Sequence, residues 1–412
     1  MKLFFNIKEL NINDKISVVL ISLICLILPI FQKNVPLLIF IWALHSLLFN
    51  FKSFSISTLY KNKIAFSLLV FFVLHIITLS ITENLSSGLF DIESKLSLVI
   101  FPVFFLFNPI PYTKLINTII KSFILGCIVA GLICISHSVF LKISYDASWQ
   151  YFTYTDLSIL MHPTYFAMYL CLAIVISFQL FLKTKQKFNR FIYILVILFF
   201  LSLVLLLSSK AGLIVLLLIA ISISIKYLKL TKRNLIIGIL ALCLFIGLLM
   251  KNDRFSQMNN SLYNHYILGK TQVESTNERL IVWGIVIQKL KTDWIFGTGA
   301  GDLKYDLTKE YKKNGFTIGE DKMLNAHNQY LETFLSVGIL GLLNLVLIFY
   351  LTLKKYLAEN NLILLGFILI ISINFIFESI LNNQAGIVFF SLFITMHAVI
   401  ENNKSNVFKT ID

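Results

Sequence analysis

Charge is scarce in this sequence. Asp, Glu, Lys and Arg make up 14% of the 412 residues while 58% are hydrophobic, and mean hydropathy is +0.83. That composition excludes a soluble globular chain, in which about a quarter of the residues are charged. Strict alternation of polar and apolar residues is also missing. The apolar residues come in runs such as Ile214 to Ile225, which excludes a transmembrane barrel. No small-residue cleavage site follows the first run, and Lys2, Lys8, Glu9, Asp14 and Lys15 precede it. The first run therefore reads as a signal anchor and not a cleaved signal. Five cysteines, Cys25, Cys127, Cys134, Cys171 and Cys243, all lie in apolar runs and form no C-x-x-C. An odd number in lipid argues against both a disulfide framework and a zinc site, so buried packing is expected, including for Cys127 and Cys134. There is no repeat of solenoid period, no low-complexity tract and no D-x-D.

What the sequence has is apolar length. At roughly 20 residues per crossing, the apolar share allows no more than about a dozen spans. Twelve are read, near 15–31, 35–49, 64–81, 95–107, 115–140, 161–182, 191–207, 211–228, 234–250, 329–352, 361–379 and 384–400. The net charge of +14 raises the question of nucleic acid, but the location of the charges answers it. With a cytoplasmic N-terminus, twenty Lys and Arg fall on inside segments and four, Lys33, Lys95, Lys142 and Lys210, on short outside ones. The surplus is a topology signal that puts both termini in the cytoplasm. The fold class expected is an all-α polytopic membrane protein of about 12 transmembrane helices with one large extracytoplasmic helical loop. Residues 1–250 hold helices one to nine, 251–327 form the loop, and 328–412 hold helices ten to twelve and a short cytoplasmic tail.

The loop is near neutral, with eleven Lys/Arg against nine Asp/Glu. Segments this long between spans are usually functional, so the chemistry is expected here. Ser275-Thr276-Asn277-Glu278 has the S-x-x-E form of a capping box and predicts a helix from about Glu278 to Lys291. Leu280, Trp283, Ile287 and Leu290 share one face, which is expected to pack on the tops of the spans.

Three places in and around the loop carry candidate chemistry. Gly297-Thr298-Gly299-Ala300-Gly301-Asp302 has the glycine content of an anion cradle, but it lacks the Lys-Ser/Thr of a P-loop, and a turn is the favoured reading. Arg279 lies in the first turn after the capping box, and His327 lies at the start of the tenth span. A helix N-terminus attracts anions and disfavours a charged imidazole, and a neutral imidazole is what a general base requires. An interfacial polar residue is the competing reading of His327. Lys210, in the turn Ser208-Ser209-Lys210-Ala211-Gly212, is a cation where the positive-inside rule disfavours one, though a snorkelling lysine would also fit.

These residues resemble a known family. His327-Asn328, nine residues, Gly338, two residues and Gly341 match the H-[NSQ]-x9-G-x-x-[GTY] pattern of the O-antigen ligases, shared loosely with O-antigen polymerases. Arg279 to Trp283, followed by Trp294-Ile295-Phe296-Gly297-Thr298-Gly299, resembles the family's R-x3-W segment and glycine turn. Lys210 departs from the arginine usual there and lacks its bidentate fork. The resemblance implies a glycosyltransferase of surface polysaccharide or lipopolysaccharide biosynthesis in the bacterial inner membrane. Its donor would be a glycan on a polyprenyl diphosphate, usually undecaprenyl, and the reaction would invert the anomeric carbon. His327 would take the proton from an acceptor hydroxyl on a glycan, lipid or protein, while Arg279 and Lys210 would stabilise the departing diphosphate. Together with the lack of D-x-D, this implies no metal and no cofactor. An O-antigen polymerase is the alternative within the superfamily.

Asn328, Glu378 and His162 are further candidates, for supporting His327 or lining an acceptor site. Glu378 is an intramembrane carboxylate near the end of span eleven; pairing with Asn382, Asn383 or Gln384 is its structural alternative. His162 precedes Pro163 at a helix start, which is also ordinary architecture. His45, His75, His137 and His397 are expected to hydrogen-bond between helices, and Trp149, Tyr151 and Tyr154 to form an interfacial belt. A solute or anion transporter would explain the many spans. It would not explain the long loop with its His and Arg, nor the scarcity of ionisable residues at mid-membrane.

Overall fold

A computed structural model describes residues 11–50, 55–108, 112–227, 231 and 275–399. The ninth expected span, Cys243 and the first part of the long loop lie outside the described residues. Among the described residues every regular element is helical. Seven helical stretches are long and apolar enough to cross a membrane: Gln32–Asn50, Lys63–Ile81, Leu115–Tyr145, Pro163–Lys183, Lys187–Leu207, Lys210–Tyr227 and Gln329–Glu359. Each coincides with an expected span. Ile12–Ile27, Ser97–Phe107, Leu362–Phe377 and Gln384–Val399 match four more in position but are shorter. A 16-residue helix rises about 24 Å, less than a hydrocarbon layer of about 30 Å.

The Pro163–Lys183 helix is the axis of the bundle. It is apolar on every side and buried along most of its length, as an all-round hydrophobic helix must be. It packs on Lys187–Leu207, Leu362–Phe377 and Lys210–Tyr227. Small residues set these close approaches: a Cβ on Gly366 would come 2.8 Å from Val175, and one on Gly212 would come 2.7 Å from Ala167. Polar side chains tie helices together through backbone carbonyls. Asn344 Nδ2 donates to Ser67 O at 2.9 Å and the Tyr169 hydroxyl to Ala385 O at 2.7 Å, which is how polar groups are satisfied where no water competes. The histidines do less of this than expected. His75 Nδ1 bonds Phe71 O of its own helix, and neither ring nitrogen of His45 has a hydrogen-bond partner among the described residues. Cys25, Cys127, Cys134 and Cys171 are buried and free, the packing role expected of them. Large apolar side chains remain exposed along the spans, among them Phe40, Phe188, Leu198, Leu340 and Tyr350. So much exposed apolar surface requires a bilayer to cover it, and the chain is a multi-pass membrane protein.

The loop helix, Ser275–Asp293, includes Ser275, Thr276 and Asn277, which were expected to precede it. Its buried face also differs from the expected one. Val282, Ile285, Val286 and Leu290 enter a second core with Leu303, Leu307, Tyr311, Ala326 and Leu335, whereas Ile287 is exposed and Trp283 only partly buried. The helix is rotated because Leu303–Lys313 covers one flank and the Gln329–Glu359 helix covers the other. As expected, then, the loop helix packs on a span.

A break at Gly338 anchors this arrangement. Within Gln329–Glu359, Gly338 has φ 76° and ψ −169°, a combination essentially restricted to glycine. The break releases backbone groups of the helix, and the chain from Trp294 to Gly299 takes them up. Ile339 N–H donates to Trp294 O at 2.9 Å, and Thr298 and Gly299 N–H donate to Leu335 O at 2.7 Å and Ser336 O at 3.2 Å. The favoured turn reading of the 297–302 segment holds, since these amides already serve protein carbonyls. Asp302 closes the turn: its carboxylate accepts from the N–H groups of Glu83 at 2.6 Å and Asn84 at 2.8 Å, at the N-terminus of the Leu85–Ser94 helix.

Candidate active site

His327 sits in the short link between the loop and the Gln329–Glu359 helix, with φ at +44°. A left-handed conformation is uncommon for a residue with a side chain and persists only where its surroundings enforce it. Here they do so from both sides. Asn325 Oδ1 accepts from His327 N–H at 3.0 Å, and Asn328 caps the helix by accepting from Leu331 N–H at 3.1 Å. Ala326 is clamped as well: its N–H donates to Glu332 Oε2 at 2.8 Å, and its carbonyl accepts from the Trp283 indole at 3.0 Å.

Glu332 was not singled out from the sequence, although it obeys the same rule as Glu378, a carboxylate inside an apolar span. It is buried, accepts from the Ser379 hydroxyl at 3.1 Å and is hydrogen-bonded by Asn382 Nδ2. Gln329 Oε1 adds a bond from Leu381 N–H at 2.7 Å. These contacts lock the link carrying His327 to the turn that follows Leu362–Phe377.

That turn begins with Glu378. Its Oε1 lies 3.1 Å from His327 Nδ1 and its Oε2 lies 3.6 Å from Arg279 Nη2. Two of the three expected alternative partners are engaged elsewhere, Asn382 on Glu332 and Asn383 on Ala385 N–H. Arg279 is the counter-ion of this carboxylate. An ionised carboxylate only accepts, so His327 Nδ1 must donate to it. In the neutral imidazole that leaves Nε2 as the acceptor.

One helical turn therefore does two jobs. Arg279 and Trp283, four residues apart, share a face of the loop helix; the arginine reaches the carboxylate that orients His327, and the tryptophan holds the residue before it. His162 caps Pro163–Lys183, with Nδ1 accepting from Thr164 N–H at 3.4 Å. Lys210 follows Ser208, whose φ of +48° ends Lys187–Leu207. Its turn packs by Gly212 on Ala167, five residues beyond His162 and so about 7.5 Å along that helix. His327 and Arg279 thus meet at the Glu378 carboxylate, and His162 and half-buried Lys210 lie at the same end of the bundle. Among the described residues no group of three or more His, Cys, Asp or Glu is placed to hold a metal ion.

Residues 194–346 match the O-antigen ligase family model. The matched segment contains Lys210, Arg279, Trp283, His327 and Gly338 but ends before Glu378. Along its length the chain is also similar to an uncharacterized protein of Haemophilus influenzae, 24% identical over 406 residues that cover 93% of this chain and 97% of that protein.

Proposed function

We propose that this protein is a membrane-embedded glycosyltransferase of O-antigen ligase type. It moves a glycan from a polyprenyl diphosphate, such as undecaprenyl diphosphate, to an acceptor hydroxyl at the outer face of the bacterial inner membrane. The observation that carries this reading is the Glu378–His327 pair with Arg279 beside it: an oriented base next to a cation, in a family that works on lipid-linked glycans. The acceptor hydroxyl attacks the anomeric carbon and gives its proton to His327 Nε2. The bond from that carbon to the diphosphate oxygen breaks on the opposite face, which inverts the centre, and the polyprenyl diphosphate leaves with the electron pair. Glu378 stabilises the imidazolium that forms. Arg279 and Lys210 meet the growing charge on the diphosphate, so the step needs no metal.

Arg279→Lys tests the phosphate contact. Lysine keeps the attraction to Glu378 but loses the planar fork that grips two phosphate oxygens. Transfer is expected to fall about 10- to 150-fold, the equivalent of roughly 1.5–3 kcal/mol for a charge-assisted contact, whereas Lys210→Arg is tolerated. Wild-type kinetics for Arg279→Lys on lipid-linked donor would remove the bidentate contact. Orientation has its own check: a reporter active only outside the cytoplasm is expected to work when fused after Asn314 and to be silent after Lys187. The reverse pair of results would overturn the compartment. Surface-glycan gels of a deletion strain separate the two activities of the superfamily, with unligated chains of normal length for a ligase and single repeats for a polymerase.

A further inference from the structure

Behind the link that carries His327 lies a cavity of about 650 Å³, within the range of about 300–1,000 Å³ typical of small-molecule sites. Its walls are polar and apolar in about equal part, with Leu303, Leu307 and Met323 among the apolar side chains. The Leu85–Ser94 helix supplies Ser86, Ser87 and Asp91, the loop supplies Lys304 and Tyr305, and Asn325 closes the side toward His327. Asp91 is paired with Lys95, so the helix contributes an ion pair and two hydroxyls to one wall. The hydroxyls of Ser86, Ser87 and Tyr305, the Asn325 amide nitrogen and the Lys304 ammonium make no hydrogen bond or ion pair to other described residues, although neighbouring polar groups are tied down. Tyr305 is 43% exposed and Phe90 is 72% exposed, so two aromatic side chains of the wall are accessible to a ligand.

We propose that this cavity is a glycan subsite, holding sugar units next to the reacting one. This rests on the glycan-transfer reading above. A sugar presents a ring of hydroxyls, each both donor and acceptor, around an apolar C–H face. Serine hydroxyls, a carboxamide and an ammonium answer the first feature, and aromatic rings answer the second. The coupling to the chemistry is short: Asn325, which lines the cavity, holds His327 N–H through its Oδ1, and Glu332 and Asn382 line it as well. The sugars belong either to the donor chain or to the acceptor, which share this chemistry.

The test uses the full-length protein in lipid nanodiscs. Tyr305→Ala removes an exposed ring without disturbing a core, and Ser87→Trp fills the cavity. Each is expected to raise the KM for one glycan substrate roughly 3- to 10-fold, the worth of one or two lost contacts, with little change in kcat. Varying the lipid-linked donor at fixed acceptor, and then the reverse, shows which substrate occupies the cavity by which KM moves. Unchanged KM in both arms, with an active wild type, would overturn the subsite and leave the transferase reading intact. Equilibrium dialysis covers the opposite case, using the radiolabelled oligosaccharide released from its lipid carrier and the delipidated acceptor glycan. Binding to wild type that is weakened in Tyr305→Ala supports the subsite even if no transfer occurs. Absence of binding for both glycans to a wild type that transfers nothing would reject the subsite and the transferase reading together.

Discussion

His327→Ala is expected to lower glycan transfer by about 10²–10⁴-fold, the usual loss on removal of a general base, while membrane insertion and donor binding persist. The residual rate is expected from the leaving-group stabilisation proposed for Arg279 and Lys210, which the substitution leaves in place. Glu378→Gln should cost less. The amide can still accept from Nδ1 but carries no charge to stabilise the imidazolium, so kcat falls with little change in donor affinity. Single-turnover transfer alongside a donor-binding measurement checks both variants. Wild-type turnover by His327→Ala at normal expression would remove the histidine from the mechanism.

Gly338→Ala is expected to be the most damaging substitution that touches no candidate catalytic group. A Cβ there would lie 2.1 Å from the Ile295 carbonyl oxygen, and neither backbone can yield without breaking the bonds that join Trp294–Gly299 to the helix. The backbone conformation itself costs roughly 1–3 kcal/mol for a residue with a side chain, and overpacking adds about 1–3 kcal/mol. Thermal unfolding in detergent should show a lower midpoint, and limited proteolysis should cut the loop faster. Gly284→Ala is the control: nothing lies within 4 Å of its Cβ position, and alanine favours a helix interior by about 0.5–1 kcal/mol. A Gly338→Ala protein with wild-type midpoint and an uncut loop would mean that the two backbones do not pair.

The candidate site could be read from the sequence where its parts are local. Arg279 is marked by its place after the capping box, its pairing with Trp283 by the family resemblance, and His327 by its place at the head of an apolar run, and the structure brings all three together. Glu378 was visible as a charge in an apolar run, but its partner was sought among its neighbours, because nothing local connects residues 51 positions apart. The glycines of the 297–301 turn and Gly338 were each visible. That one set exists to pair with the other is a tertiary fact and leaves no periodic trace. The buried face of the loop helix was assigned to its largest apolar residues, yet Trp283 stays partly open because its indole is needed on Ala326. Val282, Ile285 and Val286 became core because Leu303–Lys313 lies beside them, and the pattern of one helix cannot reveal its neighbour's position.

The pairing of His327 with Glu378 also bears on how the protein is made. The two residues stand at either end of a helical hairpin, and the Glu332 contacts to Ser379 and Asn382 form only when both arms are in place. A chain still emerging from the ribosome, or one whose final hairpin has not entered the bilayer, has its histidine without a carboxylate to orient it. On the glycan-transfer proposal, such an unfinished chain lacks the charge that steadies the imidazolium, and its transfer rate is expected to be lowered as in Glu378→Gln.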